Sequence, residues 1–151
     1  MINLIMKKIF ICFMLIILNS FPAFCADINS IEREGLILRV QLNRLGNNGD
    51  PFEREEILQR IIDTCKGTEE GENAYWDLAD LYLDGFPEEM RQEAREMLEL
   101  CLKNYPNSKR VSMIKCRLID LYDGNDKRRN ELIAQVQNDN NLPAILRNSV
   151  K

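Results

Sequence analysis

The sequence predicts an all-α fold, a short α-α superhelix of about three helical hairpins behind an N-terminal signal peptide. Three observations predict it. Capping residues divide residues 29–150 into helix-length segments. Within the segments, apolar residues recur at three- and four-residue spacing. Two stretches repeat one another 40 residues apart. The chain has 151 residues, 45% of them hydrophobic and 29% charged, which bounds it to one globular domain with a short appendage.

Residues 1–25 read as an address. Lys7 and Lys8 stand without an acid, Ile9 to Leu18 is an unbroken apolar run, and Asn19, Ser20 and Pro22 break it before Ala23-Phe24-Cys25-Ala26. A basic start, a short apolar core and a small-residue exit are the parts of a secretory signal. Ten residues rise only about 15 Å as a helix, half a bilayer core. Cleavage after Cys25 places Ala23 and Cys25 at the two small-residue positions. Two alternatives stay open: lipidation at Cys25, and an uncleaved anchor if Phe21 to Ala26 extends the apolar segment. Each exports residues 27–151, so the expected location is periplasmic or secreted. Membrane contact is expected only if the signal is uncleaved or Cys25 is lipidated.

The first helix follows Asn29-Ser30 and runs to Leu45, with Gly46 beyond it. Leu36 to Leu42 partly alternates like a strand, but Ile31, Gly35, Leu38, Leu42 and Leu45 share a helical face. Asp50-Pro51-Phe52-Glu53 starts the second: a capping carboxylate, a proline whose missing N–H is not needed there, and an acid in the first turn. It ends near Cys65. A third segment is expected from Asn73 to Leu83, and Pro87 opens a fourth that ends near Asn104, before Pro106. Asn107-Ser108 caps a fifth from Lys109 to Tyr122. Asn125-Asp126 caps a sixth from Lys127 to about Gln137, and Asn141 a short seventh from Leu142 to Val150.

The segments repeat. Leu78-Ala79-Asp80-Leu81-Tyr82 matches Leu118-Ile119-Asp120-Leu121-Tyr122, and Leu58 and Ile62 match Leu98 and Leu102 at the same offset of 40. One hairpin cannot bury its apolar face alone, so hairpins at a fixed period stack. Tyr75-x2-Leu78-Ala79-x2-Tyr82, then Ala94-x3-Leu98, then Pro106, resembles the tetratricopeptide repeat pattern. Tyr105-Pro106-Asn107-Ser108 before a helix is similar to the repeats of bacterial envelope proteins, namely the Tol–Pal coordinator and the outer-membrane assembly lipoproteins. The resemblance covers residues 30 to 137. It implies a tetratricopeptide-like domain over 27–151 in which small residues, Gly35 and Ala94 among them, let helices approach closely. The link between Tyr82 and Ala94 is three residues longer than the 34-residue unit allows, and Lys115 stands where the third repeat wants an aromatic.

Composition excludes several chemistries. With 20 Lys+Arg against 24 Asp+Glu the net charge is -4, which argues against a nucleic-acid partner held by phosphates. There is no histidine, which removes His-based triads, Cys/His zinc sites and imidazole bases. No catalytic residue, metal site or cofactor is expected. Beyond the signal three cysteines remain, Cys65, Cys101 and Cys116, an odd number. Cys101 and Cys116 fall on buried stripes, Cys65 near a helix end is the thiol expected to be most exposed, and a disulfide among the three stays open. The acidic runs Glu53-Arg54-Glu55-Glu56, Glu69-Glu70-Gly71-Glu72 and Glu88-Glu89 lie near helix starts, where negative charge opposes the macrodipole.

The expected function is a non-catalytic exported module that binds a protein or peptide partner, an envelope adaptor or assembly accessory. A small exported hydrolase using Asp/Glu chemistry is the alternative. Tyr75 takes the packing position of the repeat, so Trp76, about 100° further round the helix, turns toward the groove. Asp80 and Leu83 follow four and seven residues on, and Asp120 and Asp123 stand 40 residues beyond them. Trp76, Asp80, Leu83, Asp120 and Asp123 are therefore the expected partner-binding face, suited to a basic or amphipathic segment.

Overall fold

The computed structural model describes residues 30–86, 90–140 and 142–150; the expected signal peptide lies outside them. Among the described residues every regular element is helical. The chain forms α1 (residues 30–45), α2 (Pro51–Thr64), α3 (Glu69–Asp84), α4 (Arg91–Asn104), α5 (Val111–Leu121), α6 (Lys127–Gln137) and α7 (Ala144–Ser149).

Side-chain acceptors set the starts of α2, α3 and α6. Asp50 Oδ1 accepts from the Phe52 N–H at 3.1 Å and places Pro51 at the head of α2. Asp126 Oδ1 accepts from the Arg128 N–H at 2.7 Å and starts α6 at the residue the sequence indicates. The third helix departs from expectation. Thr68, not the residues before Asn73, is its cap: Thr68 Oγ1 accepts from the Gly71 N–H at 3.2 Å. The acidic run Glu69, Glu70 and Glu72 is thus the first turn of α3, where negative charge is favoured. Ser108 Oγ takes the Arg110 N–H at 2.9 Å and holds a turn, so α5 begins at Val111 rather than Lys109. The seventh helix is confined to Ala144–Ser149 because Pro143 stands at its cap.

From α1 to α6 successive helices run antiparallel. Cys65, after α2, reaches the Ile31 carbonyl near the start of α1, while Arg54 near the start of α2 reaches Asn47 just past the end of α1. The Met90 N–H bonds the Tyr82 carbonyl where α3 gives way to α4, and Asn104 at the end of α4 donates to the Tyr75 hydroxyl at 2.9 Å. Arg91 at the start of α4 donates to the Asp120 carbonyl near the end of α5. Arg129 early in α6 donates to the Ile119 carbonyl, and Ser112 in α5 donates to Asp139 beyond α6.

One core runs through the hairpins. Leu38, Leu58, Ile61, Leu78, Leu98, Ile114, Leu118, Leu132 and Val136 are each 1% exposed or less, and full burial of such a side chain stabilises by about 1.5–3 kcal/mol. No polar or charged residue is buried among the described residues. Small residues sit where helices cross most closely. Ala94 is fully buried. A Cβ on Gly35 would lie 2.6 Å from Cys65 Sγ, and one on Gly71 would lie 2.3 Å from the Cys65 carbonyl oxygen, so both helices approach the end of α2 more closely than a side chain permits. The Gly67 N–H donates to the Tyr105 hydroxyl at 3.2 Å, tying the α2–α3 turn to the turn after α4.

Candidate functional site

Helices α1, α3 and α5 lie side by side, and ion pairs join them. Arg39 of α1 donates to Glu70 at 2.5 Å and to Asp77, both on α3. Arg117 of α5 lies 3.3 Å from Asp80 of α3. Ser108, just before α5, donates to Glu72. Helix α3 is thus flanked by α1 on one side and α5 on the other.

Three hollows follow this surface. The largest, about 760 Å³, lies between α1 and α3, with Arg39, Leu42 and Asn43 facing Asp77, Asp80 and Asp84. A second, about 470 Å³, is bounded by Arg39 from α1, by Asn73, Trp76 and Asp77 from α3, and by Arg110 and Met113 at the head of α5. A third, about 170 Å³, holds Leu83, Asp84, Arg91, Arg117, Asp120 and Leu121.

Four of the five residues singled out in the sequence are distributed over these hollows. Trp76 is half-buried, packed partly on the core and partly open to the second hollow. Asp80 borders the first, one helical turn along α3 from Trp76. Burial pushes the Asp80 carboxyl above its usual range, opposed by Arg117 and by Trp76. Leu83 and Asp120 meet in the third hollow. Asp123 is exposed beyond the end of α5. Trp76 and Asp80 are therefore together, Leu83 and Asp120 are together, and Trp76 and Asp120 line different hollows. Asp80 also has its charge partner in Arg117, a pairing the sequence reading did not include.

Arg39, Asn73, Asp77, Arg110 and Met113 complete the surroundings of Trp76 and were not singled out. The 40-residue offset held a partial signal: Met113 stands opposite Asn73 in the repeat register, and Arg117 opposite Asp77. Arg110 lies in a turn and had none.

The thiols correct one expectation. Cys65 is 1% exposed, because the end of α2 passes beneath Gly35 of α1. Cys101 is fully buried, and burial, aided by the Glu72 charge, pushes its thiol up to about 11. Cys116 is half-buried, and all three are free thiols. Among the described residues no group of three Cys, Asp or Glu side chains is placed to hold a metal ion, and no helix is long and apolar enough to cross a membrane. No family model, curated protein or solved structure matches this chain.

Proposed function

We propose that the chain is an exported, tetratricopeptide-like repeat module that binds a protein or peptide partner along the face of α1, α3 and α5, without catalysing a reaction. One observation carries the proposal. The chain's single tryptophan is left half-exposed in a hollow to which α1, α3 and the head of α5 all contribute. Tryptophan offers large contact area at low entropic cost and is enriched among the residues that dominate interfaces. Antiparallel hairpins, the close approach at Gly35, the buried Ala94 and the sequence pattern around Tyr75 to Pro106 support the repeat assignment.

Two carboxylates facing each other across a cleft would favour the hydrolase alternative. In the largest hollow Asp77, Asp80 and Asp84 all come from one helix, and Arg39, Leu42 and Asn43 face them.

Capture from the envelope of an exporting cell tests the binding role. A photo-crosslinker replacing Met113, 57% exposed beside Trp76, should capture a partner that Trp76→Ala loses. The same crosslinker at exposed Lys103 of α4 should not. Equal capture at both positions would remove the proposal. Export is tested separately. Residues 1–30 fused to a reporter active only after export should give signal, and cytoplasmic retention would refute it.

A further inference from the structure

We infer that the hollow around Trp76 takes a peptide segment in which a carboxylate flanks a large apolar side chain. The inference rests on the proposed binding role and adds the partner's chemistry to it. The apolar part of the hollow is Trp76 from α3 and Met113 from α5, the methionine 57% exposed. An indole face and a flexible thioether together form a surface that adapts to large apolar side chains.

The charges decide the sign of the partner. Trp76 shares the hollow with Arg39, Asp77 and Arg110. Arg39 and Asp77 are bonded to each other, and Arg39 also holds Glu70. The next acid along α3, Asp80, is held by Arg117. Arg110 is different: among the described residues its guanidinium makes no hydrogen bond and no ion pair. The uncommitted charge facing Trp76 is therefore positive. A basic segment would meet carboxylates already engaged and one free cation, whereas a carboxylate would meet a guanidinium whose donor fork matches it. Asn73 adds a neutral contact point. Its Oδ1 is buried without a hydrogen-bond partner, an acceptor for a peptide N–H once the amide turns.

The carboxylate could be an acidic side chain or a chain terminus, and the test separates them. The chain, expressed from Met1, is panned against a random peptide library displayed with free and with amidated C-termini. Selected peptides are then titrated while the emission of Trp76, the only tryptophan, is followed. The expected result is enrichment of Asp or Glu next to a large apolar residue, with an emission shift on binding. Arg110→Glu should lower affinity at least about tenfold and turn selection toward Lys and Arg. Added salt should weaken wild-type binding. Enrichment confined to free termini assigns the carboxylate to a chain end; enrichment in both libraries assigns it to side chains.

Selection of basic peptides by the wild type would overturn the inference and leave the binding role standing. Acidic peptides that bind Arg110→Glu and Trp76→Ala as tightly as wild type would place the site elsewhere and overturn it. Selection of no peptide at all would count against the binding role itself.

Discussion

Tyr82 and Tyr122, 40 residues apart, make similar contacts: each phenol donates to a glutamate on the preceding even-numbered helix, Glu55 on α2 at 2.6 Å and Glu99 on α4 at 3.0 Å, the second acceptor lying one helical turn further along. The sequence match between the two segments thus extends to the helix each phenol bonds, while Arg95 stands at the position equivalent to Glu55. The surroundings differ. Tyr82 is 7% exposed and stacks on Phe86, which in turn meets Phe52 edge-on. Tyr122 is half-buried beneath Arg95, and Glu99 also holds Arg128 through two hydrogen bonds.

That difference sets the cost of removing each hydroxyl. Tyr82→Phe should destabilise by about 1–3 kcal/mol, the range for losing a hydrogen bond to a charged group where the partner is partly desolvated. Tyr122→Phe should cost less, because Glu99 keeps both bonds from Arg128. Urea unfolding of the two variants against wild type checks the order. Equal losses would mean that the Phe86 cover does not matter.

Gly35 and Cys65 should be energetically coupled. A Cβ at residue 35 would sit 2.6 Å from the sulfur, so Gly35→Ala should destabilise by overpacking, about 1–3 kcal/mol. Removing the sulfur opens the space. Gly35→Ala combined with Cys65→Ala should therefore be more stable than the sum of the single losses requires, a coupling of about 0.5–3 kcal/mol in a double-mutant cycle. Strict additivity would show that α1 is not held against Cys65. Ala94→Trp applies the same logic to α4, where the alanine is fully buried, and a melting curve unchanged by it would contradict the crossing.

How much of this was legible depended on where the determinants lie along the chain. The starts of α2 and α6 could be read because their caps, Asp50 and Asp126, are immediately adjacent to the helices they begin. The start of α3 could not, because Asn73 resembled a boundary while Thr68, five residues earlier, supplies the acceptor. Tyr82 and Tyr122 were legible as a pair because repetition places them in register. The charge state of the Trp76 surface was not. It depends on Arg39 reaching Asp77 across 38 positions and Arg117 reaching Asp80 across 37, pairings that only the packing of α1, α3 and α5 creates.

Stability at low pH should depend on Glu99. Hydrogen bonds from Arg128 hold its carboxyl below the ordinary value of 4.5, against burial and with help from Tyr122. A carboxylate depressed in the folded state contributes stability above its unfolded pKa and loses it as pH falls through the folded value. Arg128→Gln should therefore cost about 1 kcal/mol at neutral pH, a modest figure because Arg128 is 37% exposed and the pair is partly screened. Between pH 4.5 and the lower folded value the gap to wild type should close. Thermal unfolding of both proteins across that window checks it, and a gap that widened on acidification would have the wrong sign.

Thiol labelling should follow burial rather than distance from a helix end. Cys65 and Cys101 are 1% and 0% exposed, and Cys116 is half-buried. Burial pushes all three thiols above their ordinary value, so none is an activated thiolate, and access decides the order of reaction. Of these three, a maleimide added to the native chain at mildly alkaline pH should reach Cys116 first, on α5 near Asp120, whose charge also slows it. Cys65 and Cys101 should react only as the helices open, at rates that rise with denaturant. Gly35→Ala, by forcing α1 away from the sulfur, should bring Cys65 labelling forward without changing Cys116. Mass mapping of the modified peptides resolves the sequence of events. If Cys65 were modified first in the native wild type, the seat of α2 beneath α1 would be wrong, and with it the placement of Arg39 beside Trp76.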